Sequence, residues 1–326
     1  MKAIICTRYG SPDVLELAEV EKPVPKDNEL LVKIHATTVG PSDVAFLKAE
    51  PFIVRFFSGF FKPKIPIPGT VFAGEIEAAG KDVTLFKVGD PVFGSTVLAQ
   101  GCFAEYTCVA EAGPVSIKPA NMSYAEAAGI CDGGNTALTF LRDKAAVQSG
   151  QKVLVNGASG SVGIWAIQIA KHYGAEVTGV CSSTNVELVR SLGAHQVIDY
   201  TKEDFTQSGQ TWDVIFDAVG KSSYARCKGS LTPNGVYLLT VPTLAIMLQM
   251  AWTSRIGSQK AIFAATGLTQ TKEKLSLVTE LIEAGKLRSV IDRSYPLDQI
   301  AEAHRYVEKG HKKGDVVITV EHDNKT

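Results

Sequence analysis

Residues 152–180 read KVLVNGASGSVGIWAIQIAKHYGAEVTGV, and this stretch decides the fold. An apolar run ends at Val155, glycines follow at 157, 160 and 163, an amphipathic helical pattern continues, and a second apolar run closes the unit. Strand, glycine-rich turn, helix and strand within about 30 residues form a βαβ unit with two parallel strands. Gly160 lets the backbone approach a pyrophosphate, and Gly163 lets the helix pack close to the strand. The N–H groups and positive dipole at the helix start attract that anion. Glycines at this spacing are a weak signal alone, where a tight turn without a ligand is the other reading. Their position after a buried strand and before a helix makes the dinucleotide reading strong.

The end of the second strand sets the cofactor. A nucleotide without the 2′-phosphate usually meets an Asp or Glu about 20 residues past the turn. Here the segment is Cys181-Ser182-Ser183-Thr184-Asn185, with no acid. Hydroxyls and an amide hydrogen-bond a 2′-phosphate without repelling it, which favours NADP(H) over NAD(H). No Arg or Lys stands there either, and a charge-assisted bond contributes about 1.5–3 kcal/mol. The expected preference is therefore modest.

Outward from this unit the chain shows three regimes. Residues 1 to about 121 carry short β-like runs (MKAIICT, LLVKIHATTV, VFAGEIEAAG, DPVFGS, FAEYTCVA) between Pro and Gly turns, the pattern of an all-β unit. From about 122 to 265, short apolar runs (QKVLVNG, AEVTGVC, HQVIDY, WDVIFDAVG, GVYLLTVP) alternate with helical patterns, which predicts a parallel sheet covered on both faces. Residues 266–326 hold two helical patterns and two strand-like runs, and so are expected to return to the first domain. A length of 326 residues suits two domains, and 45% hydrophobic with 21% charged residues suits a soluble globular chain. The net charge of −1 makes no case for nucleic-acid or membrane-surface binding. No apolar run reaches the ~20 residues of a membrane span. The six cysteines form no CxxC pair, and MKAIICTRYG reads directly into a strand, so the cytoplasm is the expected location.

The β-rich front, the central βαβ domain and the segments GASGSVG, SLGAHQVIDY, FDAVG and GGNTAL together resemble the medium-chain dehydrogenase/reductase superfamily, closest to its zinc-free quinone oxidoreductase branch. The likeness covers essentially the whole length. It implies a GroES-like β-rich catalytic domain and a Rossmann doubly wound parallel-sheet domain, with the cofactor in the cleft between them. It further implies that Ala158, Ser159, Gly160, Ser161, Val162 and Gly163 hold the pyrophosphate, with Thr136 by the nicotinamide or diphosphate. Ser182, Ser183 and Asn185 would meet the adenosine phosphate with Tyr200 nearby, and Val219, Val241 and Phe263 would line the groove. Lys313 stands where relatives have an arginine, although the following Asp315 departs from a more usual lysine. The branch also implies a homodimer, paired through an edge strand at KAIFAAT (260–266).

Zinc-dependent members carry Gly-His-Glu where this chain has Gly69-Thr70-Val71, and a cysteine ligand where TTVGPSD places Gly40. Threonine, valine and glycine cannot serve as those ligands. The four-cysteine lobe of such members would fall near 94–104, where GSTVLAQGCF offers one cysteine. Without a Lewis acid, alcohol oxidation loses its usual driving group. Hydride transfer from NADPH to a quinone or an α,β-unsaturated carbonyl needs none, and that is the expected activity. The alternative is a cofactor-binding protein with little turnover, in a sensor, structural or RNA-associated role. Three departures from the branch bear on the choice. Gly40 replaces an asparagine that helps place substrate or nicotinamide. Cys131 replaces a proline, as a redox-sensitive thiol or a buried filler. The segment AEPFIVRFFSGFFKPK (49–64), with five phenylalanines and Arg55, could roof an apolar substrate pocket or form a packing or dimer surface. Asp43 is the best polar candidate, as a positioning residue or member of a proton network. His35 reads as structural.

Overall fold

The computed structural model describes residues 1–50, 52 and 54–322; Pro51, Ile53 and the Phe57 side chain of the 49–64 segment lie outside the described residues. The chain divides into two compact units. One comprises 1–132, 270–284 and 289–326; the other comprises 133–269 and 285–288. The sequence places the two divisions at 121/122 and 265/266. The chain crosses at Asp132/Gly133 and Thr269/Gln270.

The first unit opens with an antiparallel ribbon of β1 (Lys2–Cys6) and β2 (Leu15–Glu19). β3 (Glu29–Val39), β4 (Val71–Ala79), β5 (Pro91–Ser95), β6 (Tyr106–Ala110) and β7 (Val115–Ile117) follow. β4 and β6 both pair antiparallel with the long β3, and β5 bridges β4 and β7. Alternation decides the faces: Phe72 and Ile76 of β4 are fully buried, while Glu75 and Glu77 between and beyond them face water.

The second unit is one parallel sheet. Its strands are β8 (Lys152–Asn156), β9 (Glu176–Cys181), β10 (Gln196–Asp199), β11 (Trp212–Asp217), β12 (Leu231–Leu239) and β13 (Lys260–Phe263). Their spatial order is β10-β9-β8-β11-β12-β13, with every pairing parallel. The order reverses between β8 and β11, so this sheet is doubly wound with a switch point there. The helix Ser161–His172 is expected to be amphipathic, yet Gly163 to Ala170 are buried without a break. The sheet covers one side, and the helical segment that includes Asn135–Leu138 covers another.

The chain then returns to the first unit. β14 (Ile291–Pro296) lies parallel to β15 (Asp315–Thr319), which pairs antiparallel with β3. Between them the helix Ile300–Glu308 buries Ile300, Ala303 and Val307 in the core built by β3 and β4. The architecture is a GroES-like β-rich unit and a Rossmann-type parallel-sheet unit. Among the described residues no helix is long and apolar enough to cross a membrane.

Candidate active site

The turn after β8 is shaped by close approach. A Cβ on Gly163 would stand 2.1 Å from the Gly157 carbonyl oxygen, so any side chain there would push the helix off the turn. Gly157 has φ +81°, and a Cβ on it would meet Val219 at 2.4 Å. Gly160 differs. It is the helix N-cap at φ −80°, and the nearest atom to a Cβ there would be the Gly157 oxygen at 3.4 Å. The fold therefore does not demand glycine at 160, whereas a ligand approaching the backbone would. No side chain caps this helix, and the N–H groups of a first turn lack intrahelical acceptors.

Beside the turn, the fully buried Asp217 at the end of β11 ties the switch point together. Its Oδ1 accepts from Asn156 Nδ2 at 3.0 Å, Val219 N at 3.2 Å and Gly220 N at 2.9 Å. Its Oδ2 accepts from Ser222 N at 2.8 Å and the Tyr237 hydroxyl at 3.1 Å. Burial, and then Asp217, push the Tyr237 phenol far up, so its proton stays in this bond. β8, β11 and β12 are thus joined at one hydrogen-bonded carboxyl group. Exposed Val219 and Val241 stand over it, Phe263 is half-buried at the end of β13, and a Cβ on Gly220 would lie 2.7 Å from Val241.

At the tip of β9, Asn185 is buried and donates from Nδ2 to Ser159 Oγ at 3.0 Å, fastening this tip to the glycine turn. The sequence shows no acid at this tip, but the structure brings one from β10. Asp199 is in register with Cys181 and accepts from the Ser183 hydroxyl, from Thr201 N at 3.0 Å and from Thr201 Oγ1 at 2.7 Å. Ser183 and then Thr201 hold its carboxyl well below the usual range. Lys202 Nζ lies 3.3 Å from Asp199, adding a cation that the β9 tip lacks. Tyr200 is exposed beside them. Thr136 is buried, with its hydroxyl 2.9 Å from that of Thr266.

In the first unit, acidic groups gather around Gly40. Asp43 Oδ2 accepts from Gly40 N at 2.8 Å. Burial, and then the neighbouring Asp132, push the Asp43 carboxyl up to about 7, against the Gly40 N–H and Lys312. A Cβ on Gly40 would lie 3.2 Å from Asp132 Oδ2 and 3.7 Å from Asp43 Oδ2, so both carboxyl groups face the space left by the missing side chain. Burial also raises Asp132, opposed by Lys312 and the Ser42 hydroxyl. Lys312 is lowered by burial and opposed by Asp315, Asp132, Asp292 and Asp43. Asp132 stands in the quoted region just before GGNTAL, and Lys312 adjoins Lys313; an ionisable residue in an apolar run was the available signal. Lys313 itself is exposed, and its N–H donates to Asp292 at 3.0 Å.

Cys131 is fully buried, and burial with Asp132 pushes its thiol well above the usual range, so it stays protonated. Arg55 is occupied by its own segment: Nη1 donates to the Phe60 carbonyl at 3.2 Å, and the guanidinium lies 5.3 Å from the Tyr9 ring. At the zinc-ligand positions of metal-dependent relatives, the Thr70 carbonyl accepts from Thr96 N at 2.8 Å and the Val71 carbonyl accepts from Thr37 Oγ1 at 2.7 Å. Among the described residues no group of three or more His, Cys, Asp or Glu side chains is arranged to hold a metal ion.

Comparison with known proteins agrees with this architecture. Residues 26–119 match the alcohol dehydrogenase GroES-like domain family, and residues 192–318 match the zinc-binding dehydrogenase family. The chain is 35% identical to the 2-methylene-furan-3-one reductase of Solanum lycopersicum, over 98% of this chain and 79% of that one. It is 32% identical to the chloroplast envelope quinone oxidoreductase homolog of Arabidopsis thaliana, over 98% of both. The structure of the quinone oxidoreductase from Coxiella burnetii superposes with a TM-score of 0.89 at 30% identity, covering 98% of this chain and 99% of that one. The chain belongs to the medium-chain dehydrogenase/reductase superfamily, in its quinone oxidoreductase-like branch. It is an NAD(P)H-dependent oxidoreductase.

The glycine turn fits the dinucleotide, because a Cβ at 160 would meet only the Gly157 oxygen, at 3.4 Å, and no side chain caps the helix start. Gly160→Ala is expected to retain a wild-type melting temperature while weakening nicotinamide dinucleotide binding at least about tenfold. Gly163→Ala, which puts a Cβ inside contact distance, is expected to lower stability by about 1–3 kcal/mol. Thermal melts and fluorescence titration with the dinucleotide read both.

Proposed function

We propose that this protein is a zinc-independent, NADPH-dependent reductase of quinones or α,β-unsaturated carbonyls. The observation that carries the reading is the gap at Gly40. Where zinc-dependent relatives place a ligand, the Asp132 and Asp43 carboxyl groups close in on the position, 3.2 and 3.7 Å from where a Cβ would stand, and burial, then Asp132, raise the Asp43 carboxyl to about 7. Reducing such an acceptor needs a hydride and a proton, and the bound nicotinamide supplies the hydride. The proton is held on the Asp43 carboxyl group. Its Oδ2 accepts the Gly40 N–H at 2.8 Å, which fixes the orientation of the carboxyl group. Asp132 keeps that proton on Asp43 by disfavouring a second negative charge, and Lys312 stabilises the carboxylate left after transfer.

For the dinucleotide, Ala158 to Gly163 receive the pyrophosphate, with Thr136 at the nicotinamide side and Val219, Val241 and Phe263 along the groove. Ser182, Ser183, Asn185 and Tyr200 meet the adenosine end, with Lys313 as a further contact. Hydroxyls at Ser182 and Ser183 and the ammonium of Lys202 support NADPH, and the neighbouring Asp199 keeps its advantage over NADH modest. The free β13 edge and the exposed apolar face of helix Leu244–Thr253, including Leu244, Leu248 and Trp252, support a homodimer. Six free cysteines support the reducing cytoplasm.

The test is NADPH oxidation by chelator-treated protein with a panel of 1,4-quinones and enones. Turnover is expected, with kcat falling as pH rises through about 7, where Asp43 loses its proton. Asp43→Asn is expected to lose about 10²-fold in kcat and to flatten this pH dependence. Dinucleotide binding without oxidation of NADPH across the panel would instead favour the low-turnover alternative. Asp43 also links to stability. Its folded pKa lies above the unfolded one, so its contribution is complete below the ordinary carboxylate range and is lost as pH rises through about 7. Relative to wild type, Asp43→Asn should therefore gain stability across that interval, as read by urea denaturation.

A further inference from the structure

Between Phe52 and Lys64, four of the described aromatic side chains face water. Phe52, Phe56, Phe60 and Phe61 are 57%, 64%, 48% and 87% exposed. They touch one another edge to face: Phe56 and Phe60 lie 6.1 Å apart between centroids, and Phe60 and Phe61 lie 5.1 Å apart. A cluster of exposed rings of this kind marks an interaction surface.

The display is built into the backbone. The Tyr9 hydroxyl donates to the Gly59 carbonyl at 2.6 Å and lies 2.9 Å from Ser58 Oγ. Lys64 N donates to the Ser58 carbonyl at 2.8 Å, closing the turn. Gly59 sits at φ +122°, where a Cβ would stand 2.1 Å from the Lys62 oxygen, so the turn admits only glycine. Below it, Ser58, Pro63 and Ile65 close a cavity of about 30 Å³ that also touches Asp43. None of the rings of Phe52, Phe56, Phe60 and Phe61 lines it. The rings are therefore directed outward rather than folded over a substrate pocket.

We propose that this aromatic knuckle docks the protein on an anionic lipid surface. Phe56, Phe60 and Phe61 enter the boundary between headgroups and acyl chains, and Lys62 and Lys64 engage the phosphates. The charge pattern selects this occupant. Residues 49–64 contain Arg55, Lys62 and Lys64 against the single acid Glu50, and both lysines are exposed. Apolar rings flanked by cations are the chemistry of an interfacial anchor. A second copy is a poorer fit, because a two-fold contact sets the same patch against itself and would bring the lysines of both copies together.

The test uses the full chain and sedimentation with sucrose-loaded vesicles, so it does not depend on the reductase reading. Wild type is expected to bind equimolar phosphatidylcholine and phosphatidylglycerol vesicles at least tenfold more tightly than phosphatidylcholine alone. The double variant Phe56→Ser/Phe61→Ser should lose at least tenfold on the anionic vesicles while keeping its thermal melt. Lys62→Glu/Lys64→Glu should lose the preference for the anionic lipid. Wild type left in the supernatant with both vesicles, or a double phenylalanine variant that sediments like wild type, would overturn the proposal. A wild-type dimer converted to monomer by the phenylalanine variant, with no vesicle binding, would assign the face to a second copy instead.

Discussion

One buried carboxyl group organises the dinucleotide side of this protein. Asp217 accepts hydrogen bonds from the end of β8, from the turn that follows β11 and from β12, and is fully enclosed. A buried carboxyl group is tolerated only when its oxygens are satisfied, and here the donors are the last residue of β8, three N–H groups of the turn after β11 and the Tyr237 hydroxyl of β12, which meet at the switch point. Fixing them sets Val219 against Gly157, and Gly157 in turn limits how near the helix can come. The turn, its helix and the valines above it are consequences of this one constraint.

The other unit is organised by a charge imbalance that is not fully relieved. Asp43, Asp132 and Lys312 influence one another in a region that burial makes costly for any charge. Protonation relieves it: burial, and then Asp132, push the Asp43 carboxyl up to about 7. A group that gains and loses a proton near the working pH suits a reaction that consumes one.

Much of this was legible in the sequence because it is local. The βαβ unit is written in consecutive residues, and so are the alternating runs that became β3 and β4. The ribbon strand β2, with its mostly exposed LELAE, carries too little apolar pattern to stand out. Long-range placement was not legible. Asp199 lies well beyond the β9 tip in sequence and reaches it only because β10 pairs with β9 in register. Asp132 and Lys312 meet through the return of the chain to its first unit, and no spacing rule connects them. The bond from the Asn185 amide to Ser159 is equally hidden in the sequence, because it depends on how the two turns pack.

The central claim is reduction by hydride transfer with a protein-held proton and no zinc. The most direct measurement is mass spectrometry and NMR of the product when chelator-treated protein reduces a cyclic enone with NADPH deuterated at the transferable C4 position. The account predicts one deuterium at the β-carbon, a solvent-derived hydrogen at the α-carbon, and turnover unchanged by the chelator. A product without the label, or activity that disappears on chelation and returns with added zinc, would contradict it.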